Sequence, residues 1–328
     1  MSFQDIFGHE RQIEQLQSCL VQHRIPHAFL FYGMEGIGKK TTAFTFAKAL
    51  NCLTNEHDTG PRDACDTCLS CGKADHNNHL DIIVLEPEGP FIKIQAIRNL
   101  QERMKFKPWE GKKRVCIIDS AERMNDAAAN ALLKTLEEPP AANIIILISP
   151  LPSQLPATIL SRCQQVRFNP LPEEKVASFL QRRLSLAVAD SHLLANSSGG
   201  SIARALEMQS GSYLVMRMEV IELAASELMH DPLLRLSSLS RFGQTREEIM
   251  ERLVILQTCY RDAMVYRETN ATGTLINQDQ RDMVKTLANR LRLPDMVSNI
   301  KAIERALRAI EQNSDKTLTL EVMMFKLK

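Results

Sequence analysis

The stretch "FYGMEGIGKKTTA", residues 31–43, has the spacing of a phosphate-binding loop with one residue out of place. A GxxxxGK[ST] loop uses glycines to bring backbone N–H groups against phosphate, a lysine for the β/γ position and a hydroxyl for magnesium. Gly33, Gly38 and Lys39 are in step, with Gly36 between the two outer glycines, but Lys40 takes the place of the hydroxyl and Thr41 comes one residue late. The flanks suit the mechanism. Apolar "AFLFY" (28–32) predicts a strand leading in, and "TTAFTFAKAL" (41–50) predicts a helix leading out, whose N-terminus would favour an anion.

Four further apolar, β-rich runs follow: "DIIVL" (81–85), "RVCIID" (114–119), "IIILIS" (144–149) and "QVRF" (165–168). Five buried-type strands alternating with helical patterns predict an α/β fold with a parallel sheet. In "NDAAANALLKTLEEPP" (125–140) a helix is expected, with Asn125 or Asp126 as its cap and Pro139-Pro140 as its stop. After residue 168 the strand signals cease. "NPLPEEKVASFLQRRL" (169–184) and "SSGGSIARALEM" (197–208) read as helices around a glycine break. From about residue 212, the apolar spacing of "VIELAASELM" (220–229), "ERLVILQTCYRDAMVY" (251–266) and "VSNIKAIERALRAIEQN" (297–313) predicts an all-α domain. "ETNATGTLINQDQ" (268–280) is expected as a loop between helices.

At 328 residues, 44% hydrophobic and 24% charged, the chain has the size of two or three globular domains. It contains no run of about 18 apolar residues, and "MSFQDIFGHE" lacks the features of an export signal, so a cytoplasmic location without membrane contact is expected. The 40 basic and 39 acidic residues nearly balance, so any nucleic-acid contact must be local or shared with partners.

Hydrolysis of ATP needs magnesium, held by a hydroxyl and a carboxylate, and a group that orients water. Asp119 ends the strand "VCIID" and is placed for the metal; the next residue, Ser120, cannot act as a carboxylate base, and Glu122 lies two residues farther on. Two independent losses, at Lys40 and Ser120, argue for a site freed from catalysis. Cys52, Cys65, Cys68 and Cys71 form C-x12-C-x2-C-x2-C, in which the close steps let four thiolates converge on one tetrahedral zinc. A closed four-thiolate site is structural, with no open position for water. His76 and His79 are read as loop residues, and Cys19, Cys116, Cys163 and Cys259 as small buried thiols.

"AANALLKTLEEPP" (128–140) after "IIDSAERMN" (117–125), together with "LPATILSRC" (155–163), closely resembles the bacterial clamp-loader AAA+ subunits of DNA polymerase III. The opening "FQDIFGHERQIEQLQ" and the carboxy-terminal "AIERALRAIEQNSDKTLTLEVMMFKL" look like the same subunits' first helix and collar helices. The resemblance implies an AAA+ domain over residues 1–168 with a zinc insertion at 52–71, a helical lid at 169–211 and a collar for oligomerisation at 212–328. It also implies a structural Zn2+ on the four cysteines.

Within that family the chain is similar to the non-hydrolysing, delta-prime kind, an accessory component of a DNA-directed DNA polymerase with no intrinsic catalysis expected. Its partners would be the delta and gamma/tau subunits, with the sliding clamp and primed DNA met through the assembled complex. By the same resemblance Arg162, in "SRC", is an arginine finger acting in trans on a neighbour's ATP. Arg204, in "GGSIARAL", stands at a second sensor position and is read equally as structural or as a residue of residual binding. Gly33, Gly36, Gly38, Lys39, Lys40, Thr41, Asp119 and Arg204 then form a degenerate nucleotide site, where ATP binding is weak or lost. Pro150 stands where hydrolytic relatives carry a hydroxyl; Ser149 and Arg98 have no assigned role. An ATP-hydrolysing gamma/tau-type subunit is the alternative, favoured by Lys39 and Asp119 and opposed by Lys40, Ser120 and Pro150. A small P-loop kinase shares the loop but lacks the collar and the SRC finger.

Overall fold

The computed structural model describes residues 1–54, 62–226, 229 and 232–328. Part of the expected zinc insertion, residues 55–61, and part of the apolar run 220–229 lie outside the described residues. The chain forms two compact units, residues 1–184 with 199–204 and residues 185–198 with 205–328.

The first unit follows the alternation read from the sequence: α1 (Glu10–Val21), β1 (Ala28–Tyr32), α2 (Lys39–Leu50), α3 (Leu69–Asp75), β2 (Ile82–Leu85), α4 (Ile94–Met104), β3 (Arg114–Ile118), α5 (Asp126–Glu137), β4 (Asn143–Ser149), α6 (Ala157–Leu160), β5 (Gln164–Arg167) and α7 (Glu173–Leu184). Each strand falls within a residue or two of its apolar run. All neighbours pair in parallel, in the order β2-β3-β4-β1-β5. Side chains alternate across each strand. Ala28 and Leu30 of β1 join Ile145 and Leu147 of β4 in a core under α4 and α5, whereas Phe29 and Phe31 join Ile144, Ile146, Ile148 and Phe46 on the opposite face. Such two-sided burial requires the near-continuous apolar runs that announced β1, β3 and β4; β5, expected as a buried-type strand, is instead an edge strand in which Val166 alone is buried. Asn125 is the cap of α5, its side chain accepting from Ala128 N at 2.9 Å, and the helix ends two residues before Pro139.

One long-range tie anchors the far end of this sheet. Asp81, fully buried just before β2, accepts the N–H groups of Trp109, Glu110 and Gly111 at 2.8–3.0 Å and pairs with buried Arg114 at 2.9 Å. Burial alone would push the Asp81 carboxyl up; the three N–H donors and the guanidinium outweigh it and hold the pKa below the ordinary carboxylate value.

The second unit contains α8 (Val188–Ser197), most of α9 (Ile202–Ser210), α10 (Tyr213–Ala225), α11 (Pro232–Ser237), α12 (Arg246–Thr269), α13 (Arg281–Arg290), α14 (Leu293–Glu311) and α15 (Lys316–Lys326). The segment expected as a lid is thus shared between the units, with α7 in the first and α8 in the second. The 24-residue α12 runs two residues into the expected loop at 268–280, because Asn270 rather than Glu268 adopts the left-handed conformation that ends it. A capping box of Thr245 and Glu248 starts it. Buried Arg217 is satisfied by Asp279 and Asn277, both read as loop residues from the sequence.

Candidate functional site

Open parallel α/β sheets bind ligands beyond the carboxyl ends of their strands. The expected residues gather at that edge. The loop after β1 takes positive φ at Gly33 (143°), Gly36 (73°) and Gly38 (104°), and α2 begins at Lys39. Two of these glycines are also required by packing: a Cβ on Gly33 would meet Phe168 O at 2.1 Å, and one on Gly36 would meet Ser201 Oγ at 2.4 Å. Ala203 N donates to Gly36 O at 3.1 Å, so the loop is hydrogen-bonded to the turn that precedes Arg204.

The lysine of the loop is turned inward. Lys39, 5% exposed, donates from Nζ to Gly33 O and Met34 O, each at 2.6 Å. Burial lowers its pKa, partly opposed by the carboxylates of Glu35, Asp119 and Glu122. Thr41 is exposed on α2; the hydroxyl that bonds in this turn is that of Thr42, donated to Gly38 O at 2.9 Å.

Lys40 reaches the carboxylates at two strand ends. Its Nζ is 3.2 Å from Asp119 Oδ2 and pairs with Glu86, which follows β2. Burial pulls the pKa of Lys40 down, but the hydrogen bond to Glu86 and the charge of Asp119 outweigh it, so the ammonium is held charged. Asp119 also accepts from Ser120 N at 2.9 Å through Oδ1. Ser120 is left-handed, at φ 52°. Glu122 Oε2 is buried and has no hydrogen-bond partner, although its charge is felt at Lys39. Ser149 Oγ accepts from Leu151 N at 3.1 Å. Sequence reading missed Glu86, which comes near Asp119 only through the pairing of β2 with β3.

The four cysteines converge. Their sulfurs lie within 4.8 Å of one another, and all four are free thiols. Cys65 Sγ and Cys71 Sγ are 3.9 Å apart, close to the edge of about 3.8 Å that a tetrahedron of ~2.3 Å Zn–S bonds requires. Backbone N–H groups of Cys68 and Cys71 donate to Cys65 Sγ and Cys68 Sγ at 3.3 and 3.5 Å. Burial disfavours the Cys65 thiolate, but hydroxyls of Thr54 and Thr67 and the Cys68 N–H overcome it and bring its pKa to about 5. The donor set fits a structural metal ion. His79 is buried outside the cluster, its Nε2 3.1 Å from Ser70 Oγ, and His76 is exposed. Of the other thiols, Cys116, Cys163 and Cys259 are buried and raised to about 12, as the apolar reading expects; Cys19 is only half-buried.

Arg162 stands just after α6, away from the loop's own hydrogen bonds. Its Nη2 is 2.7 Å from Glu137 Oε1 and its Nη1 donates to Thr158 O at 2.9 Å. Arg204 is half-exposed on the first turn of α9, its N–H donating to Ser201 Oγ at 3.2 Å.

Residues 8–172 match the family described as DNA polymerase III, delta subunit, and residues 222–328 match its C-terminal family. The delta' subunit of DNA polymerase III from Bacillus subtilis is 34% identical over 222 residues, 67% of this chain and 64% of its own length. The tau subunit of the same organism is 26% identical over 99% of this chain and 61% of its own length. The chain therefore spans less than two thirds of either relative. A gamma-subunit-related protein of Thermotoga maritima is a distant structural likeness, with 17% identity, a TM-score of 0.47 and 95% and 97% of the two chains covered. With its parallel five-stranded unit and its helical second unit both matched, the chain belongs to the DNA polymerase III delta-subunit family.

Proposed function

We propose that this chain is the non-hydrolysing, delta-prime-type subunit of a DNA polymerase III clamp loader, which supports ATP-dependent loading of the sliding clamp onto primed DNA. The observation that carries the reading is the ion cluster at Lys40. The chain's own ammonium neutralises Asp119 and Glu86 where a hydrolysing loop would need magnesium. Lys39, bonded to its own loop carbonyls, and Ser120, which has no carboxylate, support the same conclusion. Likeness to a delta' subunit and membership of the delta family agree with it. Its partners would be the delta and gamma/tau subunits, its compartment the cytoplasm; no helix among the described residues is long and apolar enough to cross a membrane.

In this reading the chain's own site does no chemistry, and Arg162 supplies a permanent, forked charge to ATP held by a neighbouring subunit. The 169–211 segment serves as lid and 212–328 as collar. Cys52, Cys65, Cys68 and Cys71 would hold zinc, which supplies cross-linking of the insertion and no reactivity. The likeness to tau along nearly the whole chain, together with the retained Lys39 and Asp119, favours a hydrolysing gamma/tau-type subunit instead.

Two measurements separate the readings. Steady-state phosphate release by the purified chain should stay at background; turnover abolished by Lys39→Ala would replace the first reading with the second. In a loader reconstituted with delta and gamma/tau subunits, Arg162→Ala should leave assembly intact and slow ATP hydrolysis. Since only one site borders this subunit, the loss in bulk turnover should be far below the roughly 10³–10⁵ that arginine fingers contribute elsewhere.

A further inference from the structure

We propose that Glu137 is a latch that holds Arg162 in reserve until a neighbour's nucleotide displaces it. The proposal rests on the reading of Arg162 as a finger acting across an interface. Both terminal nitrogens of the guanidinium are engaged within this chain: Nη2 with Glu137 Oε1 at 2.7 Å, Nη1 with Thr158 O at 2.9 Å and Ser161 Oγ at 3.4 Å. These are the atoms with which a planar fork meets two phosphate oxygens at once. A carboxylate oxygen thus holds Nη2, one of the nitrogens that phosphate would use, and the two anions compete for it.

Helix energetics do not explain the carboxylate. Glu137 is the last residue of α5, where the partial negative charge of the unpaired carbonyls favours a cation. Lys134 stands in the same last turn, yet the cation that Glu137 pairs with belongs to another element, Arg162 after α6. Exposure makes the contact reversible, since the Arg162 side chain is 34% and the Glu137 side chain 50% exposed. A pair so open to water is weak, so the dense negative charge of a bound triphosphate can compete for the guanidinium. Rotation of one side chain, with Thr158 and Ser161 at its base, then suffices to deploy the finger.

The test uses the loader reconstituted with delta and gamma/tau subunits and single-turnover hydrolysis of ATP at limiting concentration. Four forms of this chain are compared: wild type, Glu137→Gln, Arg162→Ala and the double variant. Glu137→Gln should raise the rate by roughly 1.5- to 5-fold, the range that an exposed ion pair commands. The gain should shrink toward none as salt rises, because screening already opens the latch in the wild type. It should be absent when Arg162 is alanine. If Glu137→Gln slows hydrolysis as Arg162→Ala does, the carboxylate positions the finger and the latch is overturned while the finger stands. No change with Glu137→Gln, where Arg162→Ala is slow, makes the contact an ordinary surface pair. No effect of Arg162→Ala removes the finger and the latch together.

Discussion

Lys40 Nζ lies 3.2 Å from Asp119 Oδ2 and pairs with Glu86 as well, so two carboxylates from neighbouring strand ends share a cation that the chain itself provides. Lys40→Thr removes that cation and puts a hydroxyl in its place. Nucleotide binding by the variant should become magnesium-dependent, with the affinity for ATP about tenfold or more greater in magnesium than in chelator, since a charge-assisted contact contributes about 1.5–3 kcal/mol. The wild type should show no such difference. Turnover should remain absent in both, because Ser120 still has no carboxylate. Calorimetric titration in the two buffers decides it; equal magnesium dependence in wild type and variant would show that Lys40 does not stand in for the metal.

The four-cysteine cluster should carry one zinc per chain after purification under reducing conditions. Cys71 is buried and Cys65 Sγ is already 3.9 Å from its sulfur, so Cys71→Ser should abolish stoichiometric metal. A structural metal site contributes folding free energy directly. The variant, or the wild type stripped by a chelator, should therefore melt earlier and show faster amide exchange in α3. Elemental analysis that finds no zinc in the wild type would refute the assignment.

Asp81→Asn tests the anchor at the other end of the sheet. Asp81 and Arg114 are 0% and 1% exposed, and removing one charge of such a pair leaves the other buried and uncompensated, at a cost of about 3–5 kcal/mol. The pH dependence follows from the lowered Asp81 pKa. A carboxyl held below its unfolded value, about 3.9, contributes stability that is fully present above that value and lost as pH falls through the folded one. Denaturant titration of the wild type should show that loss only below about pH 4; in Asp81→Asn it should be smaller, because this proton is no longer taken up.

Much of this was legible in the residues because the signals were local. β1, β3 and β4 could be found from near-continuous apolar runs, since burial on both faces leaves no room for polar alternation; the edge strands β2 and β5 are only partly buried, with Val84, Gln164, Gln165 and Arg167 exposed. Asn125 as a cap and the cysteine spacing were equally readable, because both depend on neighbours a few positions away. Lys40 was recognisable as an intruder in the loop, but its partner Glu86 was not, being 46 residues distant and brought near only by the pairing of β2 with β3. Glu137 meets Arg162 across 25 residues for the same kind of reason. The Asp81 anchor, tied to three backbone N–H groups, leaves no pattern in the side chains at all. Where two elements meet is set by packing, and one chain read in order does not contain it.

Gly33 has one further implication. Its missing Cβ is demanded by the carbonyl of Phe168, a neighbour that is present whether or not nucleotide ever visits. A glycine of a phosphate-binding fingerprint can therefore be fixed by packing alone, as Gly33 is and Gly38, with open space at its Cβ, is not, so glycine spacing by itself does not tell a working loop from an idle one. The residue after the lysine is the one to inspect: Lys40 is half-exposed on the first turn of its helix, where drift meets little steric resistance.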